Sequence, residues 1–187
     1  SKNQIEYCRR KAKELNLDNQ VTFELKDFRD VKGKYDYVTS IGAWEHFLKR
    51  NYLTALRKIY EIMNDKGICV LHTIGSILTP QPNAPFIQRY IFPDGEIPHE
   101  SDMAKNIEKS GLIMSDRETL IRHYDKTLEA WLKRFLKNKH IVKDLFDQKF
   151  VKMWEFYLAS CSAAFKYRDL VVFQYQLVKN FDAIPSN

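Results

Sequence analysis

Glycine is scarce in this sequence, with six in 187 residues and none in a GxG arrangement. Without such glycines the chain cannot itself form the loop that brings backbone close to a phosphate or dinucleotide. Cysteine is scarcer still. Cys8, Cys69 and Cys161 are odd in number, far apart, and lack the CxxC or Cys/His spacing of zinc sites, so no metal site is expected. That usage fits a reducing cytoplasm. No run approaches the roughly 18 uninterrupted apolar residues that span a bilayer, so a soluble protein is expected. Proline is absent from most of the chain, because five of the six fall between Gly75 and Pro98. That stretch reads as a long ordered loop, with a short helical piece around Phe86–Tyr90.

What remains is enough for one globular core, since 44% of the residues are hydrophobic and 13% aromatic. The net charge of +6 is too mild to imply nucleic acid. Its distribution is uneven: eight Lys/Arg (126, 133, 134, 137, 139, 143, 149, 152) stand against Glu129, Asp144 and Asp147 between Lys126 and Lys152. A solvated helix face and a surface for anionic lipid headgroups both account for it; no nucleic-acid motif accompanies the charge.

Ser1 is a hydroxyl N-cap candidate for a helix carrying Ile5, Cys8, Ala12 and Leu15, and Val21–Leu25 then alternates as a strand does. Tyr35–Ile41 is a second strand, closed by Gly42. Leu53, Leu56, Ile59, Tyr60 and Met63 stripe a helix. Asn64–Gly67 signals a turn before a strand at Ile68–Ile74. Ser101 caps a helix that Gly111 ends, Leu112–Leu120 is the next strand, two long helices follow from Leu128, and Leu170–Val178 is a buried strand. Strands separated by helices imply crossovers and a mostly parallel α/β sheet.

Ligands of such sheets bind beyond the carboxyl ends of the strands. Those ends hold Asp27 and Phe28; Ser40, Ile41, Gly42 and Trp44-Glu-His46; and His72 with Thr73. Asp27-Phe28 suits the amine and face of an adenine, and equally an Asx turn followed by a core ring. Adjacent strands would bring Glu45 and His72 to one cleft as a carboxylate and imidazole able to shuttle a proton. A solvated helix start and a satisfied core histidine are the structural alternatives.

Five segments, in order, carry a wider resemblance: Ser40-Ile-Gly-Ala-Trp-Glu-His-Phe47, Val70-Leu-His-Thr-Ile74, Phe86-Ile-Gln-Arg-Tyr-Ile-Phe-Pro-Asp-Gly95, His123-Tyr-Asp-Lys-Thr-Leu-Glu-Ala-Trp131 and Phe150-Val-Lys-Met-Trp-Glu-Phe-Tyr-Leu158. They resemble the cyclopropane-fatty-acyl-phospholipid synthases and mycolic-acid cyclopropane synthases. The resemblance implies a class I methyltransferase, a Rossmann-like sheet in the order 3-2-1-4-5-7-6 with helices on both faces. Residues 1–187 would form the C-terminal part of that domain, with 75–100 a lid-like loop and 123–166 a helical insertion on the lipid side. The implied reaction moves a methyl(ene) group from S-adenosylmethionine to a cis double bond of an unsaturated phospholipid acyl chain, forming a cyclopropane ring. Glu45, His72, Tyr124 and the backbone of Ile41 would hold a bicarbonate base. Gln4, Asp27, Phe28, Ser40, Ile41 and Gly42 would contact the cofactor. The implied setting is cytoplasmic, at the inner membrane face, without nucleic acid.

The family's N-terminal lipid-binding segment, first two strands and GxGxG loop have no counterpart here, and neither Cys8 nor Cys69 matches its upstream cysteine. Val21–Leu25 would therefore lack partners, and self-association or segment exchange is expected from the uncovered edge at Val38–Ile41. A small-molecule N-methyltransferase and an inactive or assembly-only domain are the competing expectations.

Overall fold

The computed structural model describes residues 1–80, 82 and 84–184, which fall into two compact units, Ser1–Gly33 and Lys34–Asn187. In the first, α1 spans Lys2–Glu14. Ser1 caps it: its hydroxyl accepts from the Gln4 amide, and the Gln4 side chain reaches back to the Ser1 nitrogen. Ala12 is the buried residue of this helix. The expected strand at Val21–Leu25 is not formed. A strand needs a ladder partner, and this unit offers a helix and a short 3-10 turn; the Phe23 carbonyl instead accepts from the Arg9 guanidinium at 2.8 Å.

In the second unit four strands form one sheet: β1 (Tyr35–Ile41), β2 (Met63–Ser76), β3 (Ile113–Leu120) and β4 (Leu170–Val178), in the order β1-β2-β4-β3. β1 and β2 are parallel, as expected of a crossover through α2 (Tyr52–Ile62). β4 lies antiparallel to both its neighbours. Hydrophobic periodicity carries no information about strand direction, so this insertion was not readable from pattern alone. Val171, Val172 and Phe173 are buried in succession, which requires that both faces of β4 are covered.

Several boundaries differ from the sequence analysis: Met63, expected on the helix stripe, opens β2, and the first long helix starts at His123 instead of Leu128. The Asn64–Gly67 turn signal is absorbed into β2 as an irregular register between Tyr35/Met63 and Tyr37/Ile68, where the Asn64 amide donates to Asp36. The helix expected from Ser101 is α4 (Glu100–Ser110), capped by His99, whose Nδ1 accepts from the Ser101 amide. Gly111, at φ +84°, closes it. Within the proline-rich stretch lies α3 (Pro85–Tyr90).

The two expected long helices are α5 (His123–Leu145) and α6 (Gln148–Tyr167), joined by two residues. Asp147 caps α6 by accepting from the Phe150 amide at 2.6 Å. Leu128, Phe135, Val151, Leu158 and Phe165 pack together with Val172 of β4. Near the sheet the Ser162 hydroxyl donates to the buried Asp125 carboxylate at 2.6 Å, closing the helix pair with a polar contact.

Candidate active site

The site starts from the way β1 ends. Its last ladder residue, Ile41, sits opposite His72, and the next amide, Gly42, donates to the His72 carbonyl at 3.0 Å. Gly42 then turns the chain at φ +61°, with nothing within 4 Å of where a Cβ would stand. Trp44 anchors the following 3-10 turn, buried edge-on against Phe47 and Tyr52. That anchor aims Glu45 back at β2. There the Ile74 amide, beyond the end of β1, donates to Glu45 Oε1 at 2.6 Å. The carboxylate thus satisfies a donor that the shorter strand leaves over. Its other oxygen, Oε2, is buried and has no hydrogen-bond partner among the described residues.

His72, Gln174 and Glu118 stand opposite one another on β2, β4 and β3. Gln174 Nε2 donates to Glu118 at 2.7 Å, so its Oε1 turns to His72 Nδ1 at 3.3 Å. Facing that acceptor oxygen, Nδ1 carries a proton.

Ile41, Gly42, Glu45, His72 and Tyr124 all line one cavity of about 700 Å³, within the usual range for small-molecule sites. Ile74, Ile87, Phe92, Leu128 and Phe165 give it apolar walls. Tyr124, in the first turn of α5, packs edge-on against Trp131 and Phe165. Burial, reinforced by the Glu45 charge, pushes its phenol above the ordinary value, so it remains a donor.

The cavity also takes in two residues that were not among the expected site residues. Tyr157 and Cys161 line it from α6, and burial pushes them up to about 12 and about 11, keeping both protonated at neutral pH. Their four-residue spacing was visible in the sequence, but nothing local says what that helix face meets.

The remaining expected cofactor contacts are Ser40, Asp27, Phe28 and Gln4. Ser40 is half-buried on β1 and is not among the cavity residues. In the first unit, Arg29 donates to both oxygens of Asp27, holding that carboxyl at about 2, and its guanidinium lies 6.0 Å from the Phe28 ring centre. Gln4 is engaged in the α1 cap.

An antiparallel strand between a parallel pair and an outer strand, with a cavity at the carboxyl ends of β1 and β2, defines the 4-5-7-6 half of a class I methyltransferase sheet. The chain belongs to the mycolic acid cyclopropane synthetase family, whose model matches residues 1–175. It is 36% identical over 154 residues to the cyclopropane-fatty-acyl-phospholipid synthase of Escherichia coli (strain K12), covering 82% of this chain and 40% of that protein. A probable fatty acid methyltransferase of Pseudomonas putida is 32% identical, covering 89% and 44%. The chain thus spans about two fifths of the length of these relatives. Among solved structures, mycolic acid cyclopropane synthase CmaA1 complexed with SAH and CTAB matches with a TM-score of 0.84 and 25% identity, covering 95% of this chain and 67% of that one.

Proposed function

We propose that the protein transfers a methyl group from S-adenosylmethionine to a cis double bond in an unsaturated phospholipid acyl chain and closes it to a cyclopropane. The observation that carries this reading is the buried, unpartnered Oε2 of Glu45, in one cavity with His72, Tyr124 and the apolar side chains of Ile74, Ile87, Phe92, Leu128 and Phe165. Family membership and the likeness to a fatty-acyl-phospholipid synthase support it.

The walls suit an acyl chain, and the polar cluster suits a single proton removal. The π electrons of the alkene take the methyl carbon as the sulfonium leaves as a thioether, and loss of one proton lets the three-membered ring close. Gly42 fits the cofactor: it turns at the end of β1 with open space where a side chain would stand. Ile41 and Gly42 would hold it, with Gln4, Asp27, Phe28 and Ser40 as further contacts, and it supplies the electrophilic methyl. Glu45 Oε2 lacks a donor that a bicarbonate hydroxyl would provide. Glu45, His72, Tyr124 and the Ile41 backbone would hold that ion, which supplies the base. The basic face of α5 would set the protein on the inner, anionic face of the membrane.

Glu45→Gln in the full-length protein is expected to lower turnover about 10²–10⁴-fold, the usual worth of a positioned base, while calorimetry finds cofactor affinity little changed. Tyr124→Phe follows the same direction more mildly. Loss of cofactor binding with the chemical step intact would overturn the assignment. Methylation of amines in place of unsaturated phospholipid would move the protein to the N-methyltransferases.

A further inference from the structure

The far end of the α5–α6 hairpin is unlike the rest of the surface. The 23 residues of α5 carry it about 35 Å from the turn that holds Tyr124. At that end Leu145 is 72% and Phe146 63% exposed, with Ile141 exposed one turn earlier. Phe146 stacks on Phe150 at 4.2 Å between centroids, Phe150 on Trp154 at 5.8 Å, and Trp154 leans on Tyr157 at 5.0 Å. Along this ladder burial rises from exposed Phe146, through half-buried Phe150 and Trp154, to Tyr157 at 9% exposure in the cavity wall. An unbroken file of rings therefore joins an exposed apolar tip to the cavity.

The tip is also ringed by cations. Lys137, Lys139, Lys143, Lys149 and Lys152 flank it, all exposed, and none is ion-paired with a described residue. Asp144 and Asp147 lie among them, and the Asp147 carboxylate is engaged at the N-terminus of α6, so cations outnumber acids at the tip. A second copy of this chain would bring like charge against like charge. An anionic bilayer meets both features, since the lysine ammonium groups can reach phosphates while the apolar side chains enter below them. Among the described residues no helix is long and apolar enough to cross a membrane, so the contact is one of surface insertion.

We propose that Ile141, Leu145, Phe146 and Phe150 insert into the headgroup region of an anionic bilayer, and that the ladder from Phe146 to Tyr157 is the path by which an acyl chain reaches the cavity. The path rests on the acyl-chain reading above; the insertion does not.

The test uses the full-length protein and vesicles of dioleoyl phosphatidylglycerol and phosphatidylethanolamine. The double variant Leu145→Ser/Phe146→Ser is expected to bind them at least about tenfold more weakly, from the apolar area it removes. Wild type is expected to turn over a dispersed short-chain cis-unsaturated phospholipid, whose acyl chain is presented without a bilayer. Lys139→Gln/Lys143→Gln/Lys149→Gln should flatten the salt dependence. Brominated acyl chains should quench tryptophan emission, and Trp154→Phe should remove more of that quenching than Trp131→Phe. Vesicle binding unchanged in the Leu145/Phe146 variant, or absent in wild type, overturns the insertion. Quenching equally reduced by the two tryptophan variants overturns the path. Tip-dependent binding without turnover of dispersed lipid supports the insertion while overturning the substrate reading and, with it, the path.

Discussion

β1 and β4 are made of similar residues and have opposite fates. Tyr35-Asp-Tyr-Val-Thr-Ser-Ile41 and Leu170-Val-Val-Phe-Gln-Tyr-Gln-Leu-Val178 are both rich in aromatic and β-branched side chains, as strands generally are. Yet Tyr37 on β1 is 76% exposed, whereas Phe173 on β4 is 0% exposed. β4 has a hydrogen-bonded strand on each side and helices against it, while β1 in the described sheet has one neighbour. Place in the sheet, and not composition, decides burial. The division also separates tasks: β4 supplies core, and the chemistry-bearing groups gather where β1 ends and β2 runs on.

The sharpest way to break this comparison is an aromatic deletion on the buried strand. Phe173→Ala is expected to cost about 3–5 kcal/mol in urea denaturation, the range for removing a buried ring. A loss below about 1 kcal/mol would mean that β4 is not the centre of the core. Gly75→Ala probes the same ring from β2. A Cβ there would stand 2.3 Å from Phe173, so the strand or ring must shift, at about 1–3 kcal/mol. Phe173→Leu should relieve part of that cost, a coupling that a double-mutant cycle reads directly. Smallest is the exposed strand: Tyr37→Lys should change stability by less than about 0.5 kcal/mol. Light scattering should show this chain self-associating less once the edge carries a charge. A stability loss rivalling that of Phe173→Ala would erase the distinction between the strands.

Part of the site was legible because it depends on local chain order. Glu45 follows a strand closed by Gly42, and His72 lies near the end of the next strand, so a parallel crossover was enough to place them in one cleft. Tyr124 was legible only through the family's segments, since no spacing rule links the start of α5 to a strand end 50 residues earlier. Gln174 and Glu118, which hold the His72 ring through a hydrogen-bonded chain, were invisible, because their registration depends on two antiparallel pairings that periodicity does not encode.

By itself the sequence determined that helices form where apolar residues recur at three and four, that strands form where β-branched and aromatic residues cluster, and which chemical groups stand at their ends. These are short-range properties, governed by side-chain shape and backbone sterics within a few residues. The tertiary structure alone decided that Val21–Leu25 is no strand, that β4 runs antiparallel to β2 and β3, and that the α6 face of Tyr157 and Cys161 closes the cavity. Each of those outcomes depends on a partner distant in the chain: a ladder needs a second strand, and a helix face becomes a cavity wall only by what packs, or fails to pack, against it.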